Sequence, residues 1–253
     1  MNNSFAIGVL TANRPILSEQ CLQSLQWIKS EKTFVFNNPD HNIAYGKNQI
    51  IQDFLGNTKS NYLFILEEDV KVVNPRIFYD YIEFSKQSGL QHLLWGLAGP
   101  NNLKDNPITK IKNLPDIRFG VKYPDFACVF FKHCVGVFNL YTREVFNTVG
   151  LMDEHFENAL EHVEFSQRIV NAGFLPSYGL WPDVTTSFDS LVDLDPNFEF
   201  STMKEKNRVN QNVIDATELF TKKCGFSPYV FQDIKEAEVV KKLQEIQAKY
   251  GSN

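Results

Sequence analysis

The sequence has no Cys-x-x-Cys pair, and only four cysteines in 253 residues. That excludes a disulfide framework and the common zinc modules. Cys21, Cys128, Cys134 and Cys224 read as reduced thiols of a cytoplasmic protein, with a Cys128–Cys134 bridge as the lesser reading. There is no basic run, and the net charge of −5 argues against nucleic acid as the main partner. No apolar stretch is long enough to span a bilayer; Phe126 to Tyr141 is broken by Lys132 and His133. The polar N-terminus enters a short strand and carries no secretory signal. The expected location is the cytoplasm, with peripheral attachment to a membrane left open. Repeats and low-complexity tracts are missing, and with 43% apolar residues a full core is expected rather than disorder.

Phenylalanine is abundant, 22 in all, which points to a thick aromatic core or an aromatic-lined cleft. The organising stretch is Tyr62-Leu63-Phe64-Ile65-Leu66-Glu67-Glu68-Asp69-Val70. A short β-prone apolar run reads as a buried central strand, and it ends in three consecutive acids. In open α/β sheets ligands bind at the carboxyl edge of such strands. Three acids there need a cation or strong donors beside them. A metal-binding acidic motif for a phosphorylated substrate and a solvated turn are both open from this stretch alone.

The remaining elements build a parallel α/β sheet. Phe5 to Leu10 is a strand, and Thr11 to Pro15 a loop. A helix capped by Ser18 carries Leu22, Leu25, Trp27 and Ile28, and Thr33 to Phe36 is the next strand. Strand, helix and strand within forty residues form a βαβ unit. Asn42 to Leu55 enters a helix, and Pro75 opens another. Leu93 to Ala98, Ala127 to Phe131, Val135 to Tyr141 and Phe174 to Trp181 read as strands. Between Gly99 and Pro124 four prolines punctuate a polar insertion with one short strand at its end. Helices are expected at Arg143 to Val149, stopped by Gly150, at Ala159 to Asn171, at Arg208 to Lys223, and at Glu236 to Tyr250. The last is amphipathic and either packs on the core or meets a partner, self-association included.

Five stretches, in order, resemble the inverting glycosyltransferases of family 2. They are Thr11-Ala12-Asn13-Arg14-Pro15; Asn42-Ile43-Ala44-Tyr45-Gly46-Lys47-Asn48; Leu66-Glu67-Glu68-Asp69; Gly136-Val137-Phe138 through Gly150-Leu151-Met152-Asp153-Glu154-His155-Phe156; and Glu161-His162-Val163-Glu164-Phe165-Ser166-Gln167-Arg168. The sequence departs from the family at Ala44 and Lys47, where Gly and Arg are commoner, at Glu67, the first acid of an Asp-x-Asp motif, and at His162, where the family carries its catalytic Asp.

The resemblance implies a GT-A fold: a Rossmann-like, mostly parallel central sheet flanked by helices. It covers roughly residues 5–225 and implies a domain over 1–225, with a nucleotide half to about 98, an acceptor half from 99 to 225, and a helical extension over 226–253. It implies transfer of a hexosyl or N-acetylhexosaminyl group from a nucleoside-diphosphate sugar, a UDP-sugar by preference, to a hydroxyl of a surface polysaccharide or related glycan. Donor contacts fall on Thr11, Arg14, Asn38, Asp40, Lys47, Asn48, Glu67, Glu68 and Asp69. Acceptor contacts fall on Gly136, Asp153 and Glu154, and diphosphate contacts on Arg208 and Lys223. Mn²⁺ or Mg²⁺ is expected on Asp69 directly, with Glu67 through water or the ribose.

Plain readings stand beside these. Asn37, Asn38 and Asp40 suit an ordinary turn, Lys47 a helix surface, and Glu164–Arg168 a surface i,i+4 pair. Asn158 and Glu161 suit a capping box. Either His162 or Glu161 is the base; imidazole accepts protons near neutral pH. No histidine follows His162, so Asp183, Asp189 or Asp193 stands in for a further metal ligand, or the diphosphate and water suffice. The Asp-to-His change also motivates an alternative, a nucleotide-sugar binder with impaired catalysis.

Overall fold

The computed structural model describes residues 4–38, 42–157, 159–196, 206–231 and 233–251, without the side chains of 206–210. Its centre is a five-stranded sheet in the order β2-β1-β3-β10-β5. The strands are β1 (Phe5–Thr11), β2 (Lys32–Asn37), β3 (Tyr62–Glu67), β5 (His92–Leu94) and β10 (Phe138–Thr142). β1 pairs in parallel with β2 and β3, and β10 is antiparallel to both β3 and β5. Four strands therefore point one way, and the α/β expectation of a mostly parallel sheet holds.

β1 and β3 read as unbroken apolar runs because helices cover both faces. α1 (Pro15–Leu25) and α3 (Ile77–Ser88) belong to these layers, as do α2 (Ile43–Asn57), α4 (Arg143–Val149) and α5 (Glu161–Asn171). Asn42 caps α2, its Oδ1 accepting from Tyr45 N at 2.5 Å, a contact type that contributes about 1 kcal/mol. A methyl group at Gly8 of β1 would run into Ile50 of α2, so glycine lets helix and strand close up. Phe64 and Phe78 pack edge to face at 4.6 Å between centroids, with Phe5, Tyr81 and Phe138 around them. The many phenylalanines thus build core.

The register decides what meets at the carboxyl edge. Thr11 lies opposite Asn37, and Leu10 opposite Glu67. β10 enters from the same edge, Phe138 opposite Leu66, so Gly136 arrives beside Glu67. β4 (Val70–Val72) follows the acids and pairs antiparallel with β12 (Leu191–Asp193). β8 (Phe119–Lys122), β9 (Ala127–Phe131) and β11 (Trp181–Val184) form a second, antiparallel sheet. β6 (Leu103–Lys104) and β7 (Leu114–Pro115) form a small hairpin within the insertion.

The chain closes with α6 (Lys206–Cys224) and α7 (Glu236–Tyr250). α7 buries Val239, Leu243 and Ile246 and packs against α3, where Gln247 Nε2 donates to Gln87 O at 2.8 Å. Gly89, left-handed at φ +75°, ends α3 there, and a Cβ on it would sit 2.6 Å from Ile246 O. The apolar stripe of α7 is therefore turned onto the core rather than left for a partner.

Several element bounds differ from expectation for tertiary reasons. α1 begins at Pro15, so Ser18 is no cap; its hydroxyl donates to Glu68. α1 also ends before Trp27, which is 81% exposed. Phe174 to Leu180 is buried but turned, and only Trp181 joins a strand. β5 ends at Leu94; Trp95 N still donates to Phe138 O at 2.9 Å, and beyond it Asp183 takes the N–H of Gly96. All four cysteines are free thiols. Among the described residues no helix is long and apolar enough to cross a membrane.

Candidate active site

Two ion-pair groups flank the end of β3. In the first, Glu68 is buried and accepts from Ala12 N at 2.8 Å, Arg14 Nε at 2.5 Å and the Ser18 hydroxyl. Its Oε1 holds the Thr11–Pro15 loop against the acidic motif, and its Oε2 holds α1 through Ser18. Arg14 Nη2 also reaches Asp69 Oδ2 at 3.3 Å, and Nη1 lies 3.8 Å from Asp195. Thr11 Oγ1 donates to Asn37 Oδ1 at 3.2 Å, and Asn38 N to Thr11 O at 2.8 Å.

The second group is built on Lys47. Its Nζ is 2.7 Å from Glu67 Oε1, 3.1 Å from Glu161 Oε1 and 3.2 Å from Gly136 O. Three acceptors match three ammonium protons. Burial opposes its charge, but the Glu67 and Glu161 carboxylates win and hold it protonated above the ordinary lysine range. Lys47 was expected to contact the nucleotide or to decorate a helix surface. A buried ammonium with acids and a carbonyl on its protons is no surface decoration.

Glu161 in turn contacts His162 Nδ1 at 3.0 Å. Burial would raise its pKa, yet Lys47 and His162 hold the carboxyl well below the usual carboxylate range. A carboxylate so stabilised is a poor proton acceptor and a good anchor. With Nδ1–H donating to Glu161, Nε2 of His162 is the atom left to accept a proton, and the side chain is 21% exposed. Leu160, just before Glu161, is left-handed at φ 62°. A branched side chain there is strained by about 1–3 kcal/mol, the kind of cost found at functional sites. Gly136 completes the geometry: a Cβ on it would lie 3.0 Å from the His162 ring and 3.2 Å from Lys47 Nζ. Gly136→Ala is expected to displace the imidazole, lowering turnover by about tenfold or more while the melting temperature falls only a few degrees. Steady-state rates and a thermal melt measure the two.

Asp69 is the member with capacity to spare. Its Oδ1 is buried with no hydrogen-bond partner. Burial, then the negative charges of Glu67 and Asp193, push its carboxyl up to about 7 against the pull of Arg14. Leu194 N donates to Asp69 O at 2.7 Å and so brings Asp193 alongside. Among the described residues no three His, Cys, Asp or Glu side chains converge as a metal cage. The donor set does fit Mg²⁺ or Mn²⁺ held by one carboxylate with phosphate and water as the other ligands. Asp183 is excluded as a ligand: Tyr81, Gly96, Val184 and Ser187 donate to its oxygens at 2.6–3.0 Å.

The raised value at Asp69 has a testable sign. Between an ordinary carboxylate value near 4 and about 7, the folded chain binds a proton that the unfolded chain has released. Stability of the ligand-free protein is therefore expected to fall as pH rises from 5 to 7 and then level, while cation binding strengthens. Asp69→Asn is expected to flatten that slope and to raise the melting temperature by a few degrees at pH 8, about 1 kcal/mol. Differential scanning calorimetry from pH 5 to 8 checks both.

A third network braces α5. Asn48 donates to Met152 O at 3.0 Å and Glu154 Oε1 at 2.8 Å, and accepts from Met152 N at 2.9 Å. Lys223 Nζ bridges Asp153 at 2.6 Å and Glu164 at 2.7 Å. Partial burial works against the Asp153 charge, but hydrogen bonds from Lys223 and His155 keep its carboxyl well below the usual range. Glu164 is buried, and its partner Arg168 also donates to Val149 O and Leu151 O at 2.9 and 2.8 Å. That pair ties α5 to the Gly150 turn and is no surface decoration. Asn48, Asp153, Glu154 and Lys223 are therefore brought together with one another, in a clamp behind Glu161 and His162. Asp40, Asn158 and the Arg208 side chain lie outside the described residues. Sequence reasoning missed Ser18 and Asp195, for which no local signal exists.

No protein-family model and no curated protein sequence matches the chain. Among solved structures, residues 1–349 of S. aureus TarS align with 98% of this chain and 72% of that one, at 11% identity and a TM-score of 0.52. The catalytic domain of Drosophila β1,4-galactosyltransferase 7 bound to xylobiose aligns with 67% of this chain at 23% identity and a TM-score of 0.43. A variant of that enzyme with manganese, UDP-Gal and xylobiose aligns over the same share, at 23% identity and a TM-score of 0.41. The chain spans 62% of the length of the Drosophila chains. The likeness to TarS runs over nearly the whole chain, and the fold is of the GT-A class.

Proposed function

We propose that this chain is a metal-assisted, inverting glycosyltransferase of the family 2 kind, using a UDP-sugar as donor and a glycan hydroxyl as acceptor. The observation that carries the reading is the pairing of two groups at one sheet edge. An acid with an unpartnered oxygen, Asp69, and an imidazole oriented by a carboxylate, His162, are joined through Glu67, Lys47 and Glu161. The fold and the five ordered motifs support the same reading. In it, residues up to about 98 form the donor half, residues 99 to 225 the acceptor half, and the rest a helical extension.

The chain's own residues then have separable roles. Asp69 would hold Mn²⁺ or Mg²⁺, which would supply charge neutralisation for the departing diphosphate. The loop at Thr11 to Pro15, fixed by Glu68, and the turn at Asn37 and Asn38 receive the nucleoside. Lys47 holds Glu67 and Glu161 at a set spacing. Glu161 keeps the His162 ring turned so that Nε2 takes the proton of the acceptor hydroxyl as it attacks the anomeric carbon. The new C–O bond forms opposite the breaking one, and the electron pair of the broken bond leaves with the UDP. The expected experiment is release of free UDP from a panel of UDP-sugars with Mn²⁺, with and without glycan acceptors. Turnover with one donor supports the transferase. Nucleotide binding without turnover across the panel favours the impaired binder, and neither binding nor turnover removes both.

A further inference from the structure

The β6–β7 hairpin and the residues just after it leave three isoleucines in solvent. Ile108 is 88% exposed, Ile111 52% and Ile117 40%. The turn that presents them is built, with Asn106 at its centre. Asn106 Oδ1 accepts from Ile108 N at 2.9 Å and Thr109 N at 3.0 Å. Its carbonyl accepts from Lys110 N at 2.9 Å, and its N–H donates to Ile111 O at 2.8 Å. Asn113 N adds a bond to Asp105 at 3.1 Å. The isoleucines are thus held outward by a hydrogen-bonded frame.

Charge on this element runs against that of the molecule. Between residues 103 and 118 stand four basic and two acidic side chains, in a chain of net charge −5. Lys104 is paired with Asp116, while Lys110 and Lys112 are exposed at the tip. The root of the hairpin is tied to the site's rim. Asn102 Nδ2 donates to Gly96 O and His133 O at 2.8 and 3.0 Å, and Gly99 N donates to Asp193 at 2.8 Å, beside Asp69.

We propose that this hairpin docks the protein on an anionic lipid surface. Ile108 and Ile111 enter the boundary between headgroups and acyl chains, and Lys110 and Lys112 meet the lipid phosphates. In a chain of net charge −5 the basic tip is the part of this element drawn to such a surface, so it also sets the orientation. That the docked site faces a membrane-borne acceptor rests on the transferase reading; the docking itself does not.

The test is co-sedimentation of the full chain with phosphatidylcholine vesicles, with and without about 30% phosphatidylserine. Binding is expected to the anionic vesicles alone, and to weaken as salt rises from about 0.05 to 0.3 M. Lys110→Gln with Lys112→Gln is expected to weaken the partition roughly thirtyfold, and Ile108→Ser with Ile111→Ser to abolish pelleting. All four residues are exposed, so unchanged melting temperatures are expected and confirm that the fold is intact. No pelleting with anionic vesicles, or equal pelleting of the wild type and both variants, overturns the proposal. The readout needs no turnover, so it fails or succeeds independently of the transferase reading.

Discussion

His162→Ala is expected to lower the transfer rate by about 10²- to 10⁴-fold while leaving nucleotide affinity within about twofold. The Nε2 atom is the proton acceptor that the geometry offers, because Nδ1 faces Glu161 at 3.0 Å. Glu161 itself is a poor acceptor: Lys47 and His162 hold it ionised despite its burial. Removing the ring should therefore remove the base and leave the acids of the donor side in place. The gap left beside Gly136 has room for a small base, so added imidazole should restore part of the rate in His162→Ala. Glu161→Gln keeps a hydrogen-bond acceptor for Nδ1 and should cost less, on the order of 10- to 100-fold. Initial rates with and without imidazole, with calorimetric titration of UDP, separate these outcomes. A His162→Ala enzyme of unchanged rate would return the base role to another group.

Lys47→Met is expected to destabilise the fold by about 3–5 kcal/mol. That is a large share of a typical total stability of about 5–15 kcal/mol. Methionine replaces the stem but leaves Glu161 buried without its ammonium partner, and Glu67 without the contact at 2.7 Å. Pairing the change with Glu161→Gln removes the stranded charge and should recover part of the loss, a coupling of about 1–3 kcal/mol. Urea unfolding of the two single variants and the double variant measures it. If Lys47→Met unfolds at the wild-type denaturant midpoint, Lys47 is not the keystone between the donor acids and the base.

The parts of the molecule legible in the sequence were those set by local pattern. The apolar run from Tyr62 to Leu66 and the acids after it marked β3 and the acidic carboxyl edge at which it ends. The stripe Val239, Val240, Leu243, Ile246 and Tyr250 marked α7, whose observed bounds are Glu236–Tyr250 and which buries Val239, Leu243 and Ile246. The parts that were not legible depend on contacts across long stretches of chain. Ser18 looked like a cap because hydroxyls favour that position, but Glu68, fifty residues away, claims its proton. Lys47 looked like a helix-surface charge or a phosphate contact, and only the arrival of Gly136 and Glu161, 89 and 114 residues on, buries it. Val135 to Val137 had strand-like residues, yet β10 begins only at Phe138; Val137 O still accepts from Glu67 N at 2.8 Å, and Gly136 lies against His162. The sequence left Glu161 and His162 open as base; the proposal of His162 rests on Glu161 being engaged by Lys47 and by His162 Nδ1, contacts that the sequence does not display.

The central claim is that Asp69 and a divalent cation together hold a nucleoside diphosphate at the end of β3. Calorimetric titration of UDP into wild type and Asp69→Asn, each with and without Mn²⁺, tests it most directly. The expected result is binding to the wild type that tightens at least tenfold with Mn²⁺, about 1.4 kcal/mol or more, and an Asp69→Asn variant that gains nothing from the metal. Absence of heat for UDP and for every other nucleoside diphosphate, with or without Mn²⁺, or an equal gain from the metal in both proteins, would contradict it.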